Sequence, residues 1–268
     1  MKFGLIYAYE SYLHDFRQML LEVKLAEKYS FDSVLVGEHH FNFGSGYIPS
    51  PMLICGALCA NTKRIRIGTG VIPLPIHNPI TVAEETAVLD VISQGRFILG
   101  LGLGQRKEEF EHFGIPMSER IGRFTEALKL IMNLLCEETV VFKGQFFNVK
   151  GVSILPKPYQ KPHPPIWIAG RVPSAVRRIA RLGLCWYADP VSPLRVLKNL
   201  TKIYNDEFVP LIKKLEDVER PLRRDVCIAK TDDKAWTLSE KGIKAQYGDY
   251  YKWGFLLDNF GKPINPKE

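Results

Sequence analysis

The chain has 268 residues, 46% of them apolar, and a formal charge of +7 at pH 7, which is enough for one sizeable core or for two small ones, with a single α/β domain over residues 1–268 the simpler expectation. Its Lys and Arg are scattered, with no basic run interleaved with aromatics, so a nucleic-acid partner is not expected and a phosphorylated small molecule is compatible with the excess. The sequence shows neither a signal-peptide core nor a membrane-length apolar run, so a cytoplasmic protein without a membrane partner is expected.

Read for period, the chain alternates short apolar strands with amphipathic helices. Residues 3–8 read as a strand and residues 16–29 as a helix with a stripe through Met19, Leu20, Val23, Leu25 and Ala26. Residues 33–37, SVLVG, are apolar without alternation, the pattern of a strand covered on both faces in a parallel sheet. That strand runs into Glu38, His39 and His40. In α/β folds ligands bind outside the carboxyl ends of strands, so an acid and two imidazoles there mark a candidate site; the competing reading is a satisfied polar strand end. A Gly/Ser/Pro loop over 42–51 leads to an apolar helix over 52–60, and then come a strand over 64–69, a helix over 82–93 and a strand over 96–100. Cys55, Cys59, Cys136, Cys185 and Cys227 lack a companion pair at zinc-like spacing, so they read as reduced core residues and no metal site is expected.

The second half continues the pattern less evenly. Residues 118–136 read as a helix opened by a partial capping box at Ser118, and 139–154 as a hairpin turning near Gly144. After the Pro- and Lys-rich stretch 156–165 come a strand over 165–169, a helix over 174–182 and a strand over 184–188. A helix over 193–215 follows, with Ser192 as N-cap and Pro193 at its first position. A seventh strand is expected over 225–230, and helix and aromatic loop from 232 onward. Strands that each precede a helix imply a parallel sheet with right-handed crossovers.

The motifs FDSVLVGEHH, Ser50-Pro51, TKRIRIGTGVIPLPIHNPITVAEETAVLDVISQGRFILGLGLG, Phe113-Gly114 and PPIWIAGRVPSAVRRIARLG occur in one order from the first residues to about Gly183. Together they resemble the bacterial luciferase-like family of flavin- or deazaflavin-dependent oxidoreductases, whose members fold as (β/α)8 barrels. The resemblance implies an FMN-dependent monooxygenase that uses reduced flavin and O2 on a small-molecule substrate, with a separate flavin reductase supplying the cofactor. The alternatives it leaves are F420-dependent hydride transfer and a flavin-binding paralogue without turnover. EHH is the form associated with flavin users, whereas deazaflavin users more often carry Asp-His there, so the lean is towards FMN.

The resemblance also implies residue roles. His39 would assist proton handling, as an imidazole with an ordinary pKa near ~6.5 can at neutral pH, while Glu38 and His40 brace the strand end. Gly70 and Val71 would carry a non-proline cis peptide that supports the flavin ring from behind. Gly100, Gly102 and Gly104 follow G-x-G-x-G rather than the G-x-G-x-x-G of a dinucleotide fold, and Gly102 would let the strand pass close beneath a flat cofactor. Leu103 stands where some luciferases have a phosphate-binding Arg, so phosphate binding falls to Gly170, Arg171, Val172 and Ser174, with Ser174 as N-cap of an anion-receptive helix start. Arg177 and Arg178 read as surface residues. No eighth βα unit follows the seventh strand, so a barrel short of its last unit is expected, with a homodimer formed through helices of the first half to cover apolar surface. Substrate choice would rest on loops such as 42–48 and on the divergent C-terminal half.

Overall fold

The computed structural model describes residues 1–7, 16–41, 48–209, 213–252, 254–256 and 262. The chain divides into two compact units, Met1–Ile166 and Trp167–Glu268.

The first unit begins with β1 (Gly4–Tyr7), α1 (Phe16–Lys28), β2 (Ser33–Val36), α2 (Pro51–Asn61) and β3 (Arg66–Thr69). After a two-residue strand, β4 (Ile72–Pro73), and a 3-10 turn come α3 (Pro79–Ile92), β5 (Phe97–Gly102), α4 (Lys107–His112) and α5 (Arg120–Cys136). All of these strands pair in parallel. Tyr7, Val36 and Thr69 share one level of the sheet, Ile67 lies opposite Phe97, and Ile72 lies opposite Leu101. β2, β3 and β5 are buried on both faces, as their unalternating apolar sequence expects: Val34, Val36, Ile67, Phe97 and Ile98 are wholly inaccessible. The unit closes with an antiparallel hairpin, β6 (Val140–Lys143) and β7 (Asn148–Val152). Its turn is held by Glu126, whose carboxylate accepts the backbone N–H groups of Gln145, Phe146 and Phe147.

Side chains also bind successive units at the amino-terminal ends of the strands. Glu27 on α1 accepts three N–H groups of the segment entering β3, those of Lys63, Arg64 and Ile65. Arg96, just before β5, donates to the carbonyls of Cys59, Thr62 and Ile65 and to the Thr62 hydroxyl at 2.6 to 3.0 Å, which caps the end of α2. Asp90 on α3 is bound by the backbone and side chain of Gln160.

The second unit has β8 (Ile166–Ala169), α6 (Pro173–Arg181), β9 (Cys185–Tyr187), α7 (Leu194–Glu207) and α8 (Asp232–Lys252). β8 and β9 run parallel, with Trp167 opposite Cys185. The order of parallel strands, each followed by a helix, is that of a (β/α) barrel, and no eighth βα unit occurs among the described residues.

Several expectations are corrected. The strand expected over 225–230 does not form. The chain instead touches β9 at one parallel bridge, Ala188 with Leu222, after which Arg224 fastens itself to the carbonyls of Asp189, Pro190 and Ser192 and leads the backbone away. The helix expected over 193–215 stops at Glu207, and Leu215–Asp217 is a separate 3-10 turn. Ser192 is not its cap: that hydroxyl donates to Asp189 Oδ2 at 2.6 Å. Ser174 is not a cap either, because Pro173 takes the first helical position and Val172 the N-cap. Ser118 lies in a 3-10 turn before α5, whose N-cap is Glu119 without a side-chain bond. Of the five cysteines, Cys136 and Cys227 are exposed and the other three buried. No helix among the described residues is long and apolar enough to cross a membrane.

Candidate functional site

The equal level of Val36 and Thr69 brings Glu38, His39 and His40 out of β2 beside Gly70 and Val71 out of β3, and the pairing of Ile72 with Leu101 brings Val71 beside Gly102. Four of the sequence-predicted residues, His39, Gly70, Val71 and Gly102, thus lie at or just after the carboxyl ends of neighbouring strands. The Gly70–Val71 peptide is cis, as expected. A Cβ on Gly70 would lie 2.8 Å from Leu35 Cβ, and one on Gly102 would lie 2.6 Å from Val71 Cγ2. The close neighbour that Gly102 accommodates is therefore the Val71 side chain. The Thr69 hydroxyl donates to the Gly100 carbonyl at 2.7 Å and accepts its N–H at 2.8 Å, which closes β3 onto β5 just before this point.

The acid and the imidazoles form two linked groups. Glu38, only 4% exposed, places Oε1 2.6 Å from His40 Nε2 and 2.8 Å from His77 Nε2. The second group is built on Glu109 of α4, whose Oε1 accepts the His40 N–H at 3.0 Å and Arg106 Nη1 at 3.1 Å and lies 3.9 Å from His39 Nδ1. Burial pushes the Glu109 carboxyl up, but bonding to His39 and to the His40 N–H, with the charges of His39 and Arg106, outweighs it and holds the group below the ordinary carboxylate range. Arg106 also donates to the His40 carbonyl at 2.8 Å, and the His39 N–H to the Ile48 carbonyl at 3.1 Å. His39 keeps 20% of its side chain exposed in front of the closed-off Glu109. His77, Arg106 and Glu109 were not singled out in the sequence; the signals were the imidazole just before the Asn78-Pro79 helix start and the acids in the first turn after GLGLG.

In the second unit, Gly170, Arg171, Val172 and Ser174 follow one another from the end of β8 into α6. Arg171 is already engaged: Nη1 donates to the Phe255 carbonyl at 2.8 Å, Nη2 to the Gly254 carbonyl at 3.3 Å, and the guanidinium lies 5.0 Å from the centre of the Phe255 ring. Burial lowers its pKa, with Asp189 opposing. Ser174, at the second helical position, carries one of the first-turn N–H groups that have no intrahelical acceptor. Loop 42–47 lies outside the described residues. Among those described, no group of three or more His, Cys, Asp and Glu is arranged to hold a metal ion.

A parallel strand–helix fold with its polar groups at the strand exits defines a (β/α)-barrel protein of the kind that works on a ligand at that end. The sequence matches the family described as luciferase-like monooxygenase over residues 1–260, and the chain belongs to that family. It is 30% identical to the oxygenase component of a flavin-dependent trigonelline monooxygenase from Acinetobacter baylyi, over 81% of this chain and 61% of that one. It is 34% identical to an F420-dependent glucose-6-phosphate dehydrogenase from Beutenbergia cavernae, over 62% of this chain and 51% of that one. The structure of the monooxygenase RslO1 from Streptomyces bottropensis superposes with a TM-score of 0.81 at 29% identity, covering 96% of this chain and 84% of that one. The chain spans about half the length of the curated relatives it matches.

Proposed function

We propose that the chain is the oxygenase of a two-component, FMN-dependent monooxygenase: a cytoplasmic homodimer of single luciferase-like barrel domains, fed with reduced flavin by a separate reductase and acting on a small organic substrate. The observation that carries this is His39, an accessible imidazole at a strand exit with a buried carboxylate, Glu109, behind it. When bound, reduced flavin supplies the electrons that activate O2.

The chain's own residues bind, orient and move protons. Gly70, Val71 and Gly102, with the Val71 side chain packed onto Gly102, would hold a flat ring. The Ser174 N–H and the guanidinium edge of Arg171 left over from its two carbonyl bonds receive the phosphate together with Gly170 and Val172. His39 gives or takes a proton at its ring, with Glu109 Oε1 3.9 Å from its Nδ1.

The similarity to a dehydrogenase named for F420 favours a second reading, hydride transfer with that deazaflavin. Titration of the purified protein with reduced FMN and reduced F420 separates the two. Tight binding of F420 alone overturns the FMN assignment. FMN binding without any oxygen-dependent product points to a flavin-binding paralogue without turnover.

A further inference from the structure

The acid at the centre of EHH is placed unusually for a strand brace. Its side chain is fully closed off, yet it lies between an imidazole that is 30% exposed, His77, and one that is 10% exposed, His40. Both Nε2 atoms approach the same oxygen, Oε1, while Oε2 is buried without a hydrogen-bond partner among the described residues. An isolated carboxylate charge with one oxygen unpaired is costly to bury, and a proton shared with the flanking imidazoles reduces that cost. Two nitrogens on one oxygen also give a proton a continuous path, His77 to Glu38 to His40, with no gap longer than 2.8 Å.

We propose that His77, Glu38 and His40 form a proton relay that connects the more exposed His77 with the strand exit beside His39. A proton taken up at His77 Nδ1 releases the Nε2 proton to Glu38 Oε1. From that oxygen a proton passes to His40 Nε2 as His40, 10% exposed, gives up the one on Nδ1 to water, so Glu38 returns to its starting state. Glu85 faces the relay from α3, with Glu84 beside it, Glu109 faces it from α4 and Arg106 from the residue before that helix, and His39 from its own segment. Glu85 registers the relay: burial pushes its carboxyl up, His77 opposes that, and Glu38 and Glu84 add to it. The inference deepens the flavin reading, because oxygen chemistry in a water-excluded site needs protons delivered by the protein, but the relay is testable without any cofactor.

The test is nitrogen-15 NMR of the imidazoles in the cofactor-free protein. In the wild type, the titration curves of His40 and His77 should share two inflections, the mark of coupled sites. The His40 ring N–H should also exchange with water faster than its burial allows. In Glu38→Gln each imidazole should titrate with a single inflection, and His40 exchange should slow by about tenfold or more. His77→Asn, at the more exposed end, tests the same point without disturbing the buried acid: His40 should lose its second inflection and slow likewise. Independent single inflections in the wild type, or coupling and exchange unchanged in both variants, overturn the relay. Failure of FMN to bind would leave these outcomes untouched, so the two readings fall separately.

Discussion

Replacing Arg171 by Ala tests a part of the structure that joins binding and stability. The guanidinium holds the carbonyls that close α8, where Gly254 takes the left-handed conformation (φ 68°) and the Phe255 N–H returns to the Tyr250 carbonyl. The bond to Phe255 at 2.8 Å is worth about 1.5 kcal/mol as a charge-assisted contact, the 3.3 Å bond to Gly254 less, and the ring contact about 0.5 kcal/mol. Releasing the cation from its half-buried position offsets part of this, which leaves a loss of about 2 kcal/mol concentrated at the end of α8. Hydrogen–deuterium exchange should therefore rise by about thirtyfold over residues 250–256 while that of β2 and β3 stays unchanged. Arg171→Lys should fall between, since it keeps the charge and loses the fork. Affinity for reduced FMN should drop by about 1 to 3 kcal/mol in the Ala variant. An exchange change below threefold over that segment would refute the reasoning that the cation holds it.

Arg96→Met leaves the end of α2 uncapped and should cost about 3 kcal/mol, read as a fall in Tm of about 6 to 12 °C. The carboxyls of Glu27, Glu109 and Glu126 are all held below their ordinary value of 4.5: burial pushes them up, and it is outweighed chiefly by backbone N–H groups at Glu27 and Glu126 and by His39, the His40 N–H and Arg106 at Glu109. The stability they contribute is complete above pH 4.5 and is lost as pH falls through their lowered values, so denaturant midpoints should decline below that pH, less steeply in Glu126→Gln. His39→Ala should slow turnover about a hundredfold and leave the Kd for reduced FMN nearly unchanged; unaltered turnover removes His39 from proton handling. Helices α2 and α3 expose Leu53, Val88, Val91 and Ile92, so sedimentation should show a dimer that Leu53→Glu with Ile92→Glu converts to monomer, and a monomeric wild type sinks the proposed association.

What the sequence displayed was whatever repeats locally. The run SVLVG declared itself a buried strand because burial on both faces removes polar residues, and Asn78-Pro79 marks the start of α3, where the Asn78 side chain accepts the Ile80 N–H at 2.9 Å. The partners of the site were hidden because they come from far along the chain: His77 reaches Glu38 across 39 residues, and Glu109 reaches the His40 N–H across 69. Segment 225–230 misled for the opposite reason. Its composition is that of a strand, but a strand needs a neighbour, and Arg224 commits the backbone to the carbonyls after β9 first, leaving Val226 and Ile228 77% and 88% exposed. Ser174 failed as a cap because Pro173 takes the first helical position, which moves the cap back to Val172 and puts Ser174 inside the helix.

The clamps at the amino-terminal ends of the strands impose a schedule on synthesis. Glu27 finds its last N–H donor 38 residues later, and Asp90 its Gln160 partner 70 residues later. A nascent chain that has displayed α1 therefore cannot secure it until the segment entering β3 has left the ribosome. Likewise α3 waits through the whole of α5 and the hairpin before Gln160 arrives. At about 5 to 20 residues per second, that second wait lasts from about 4 to 14 seconds, during which Asp90 is without the Gln160 bonds that fasten the end of α3.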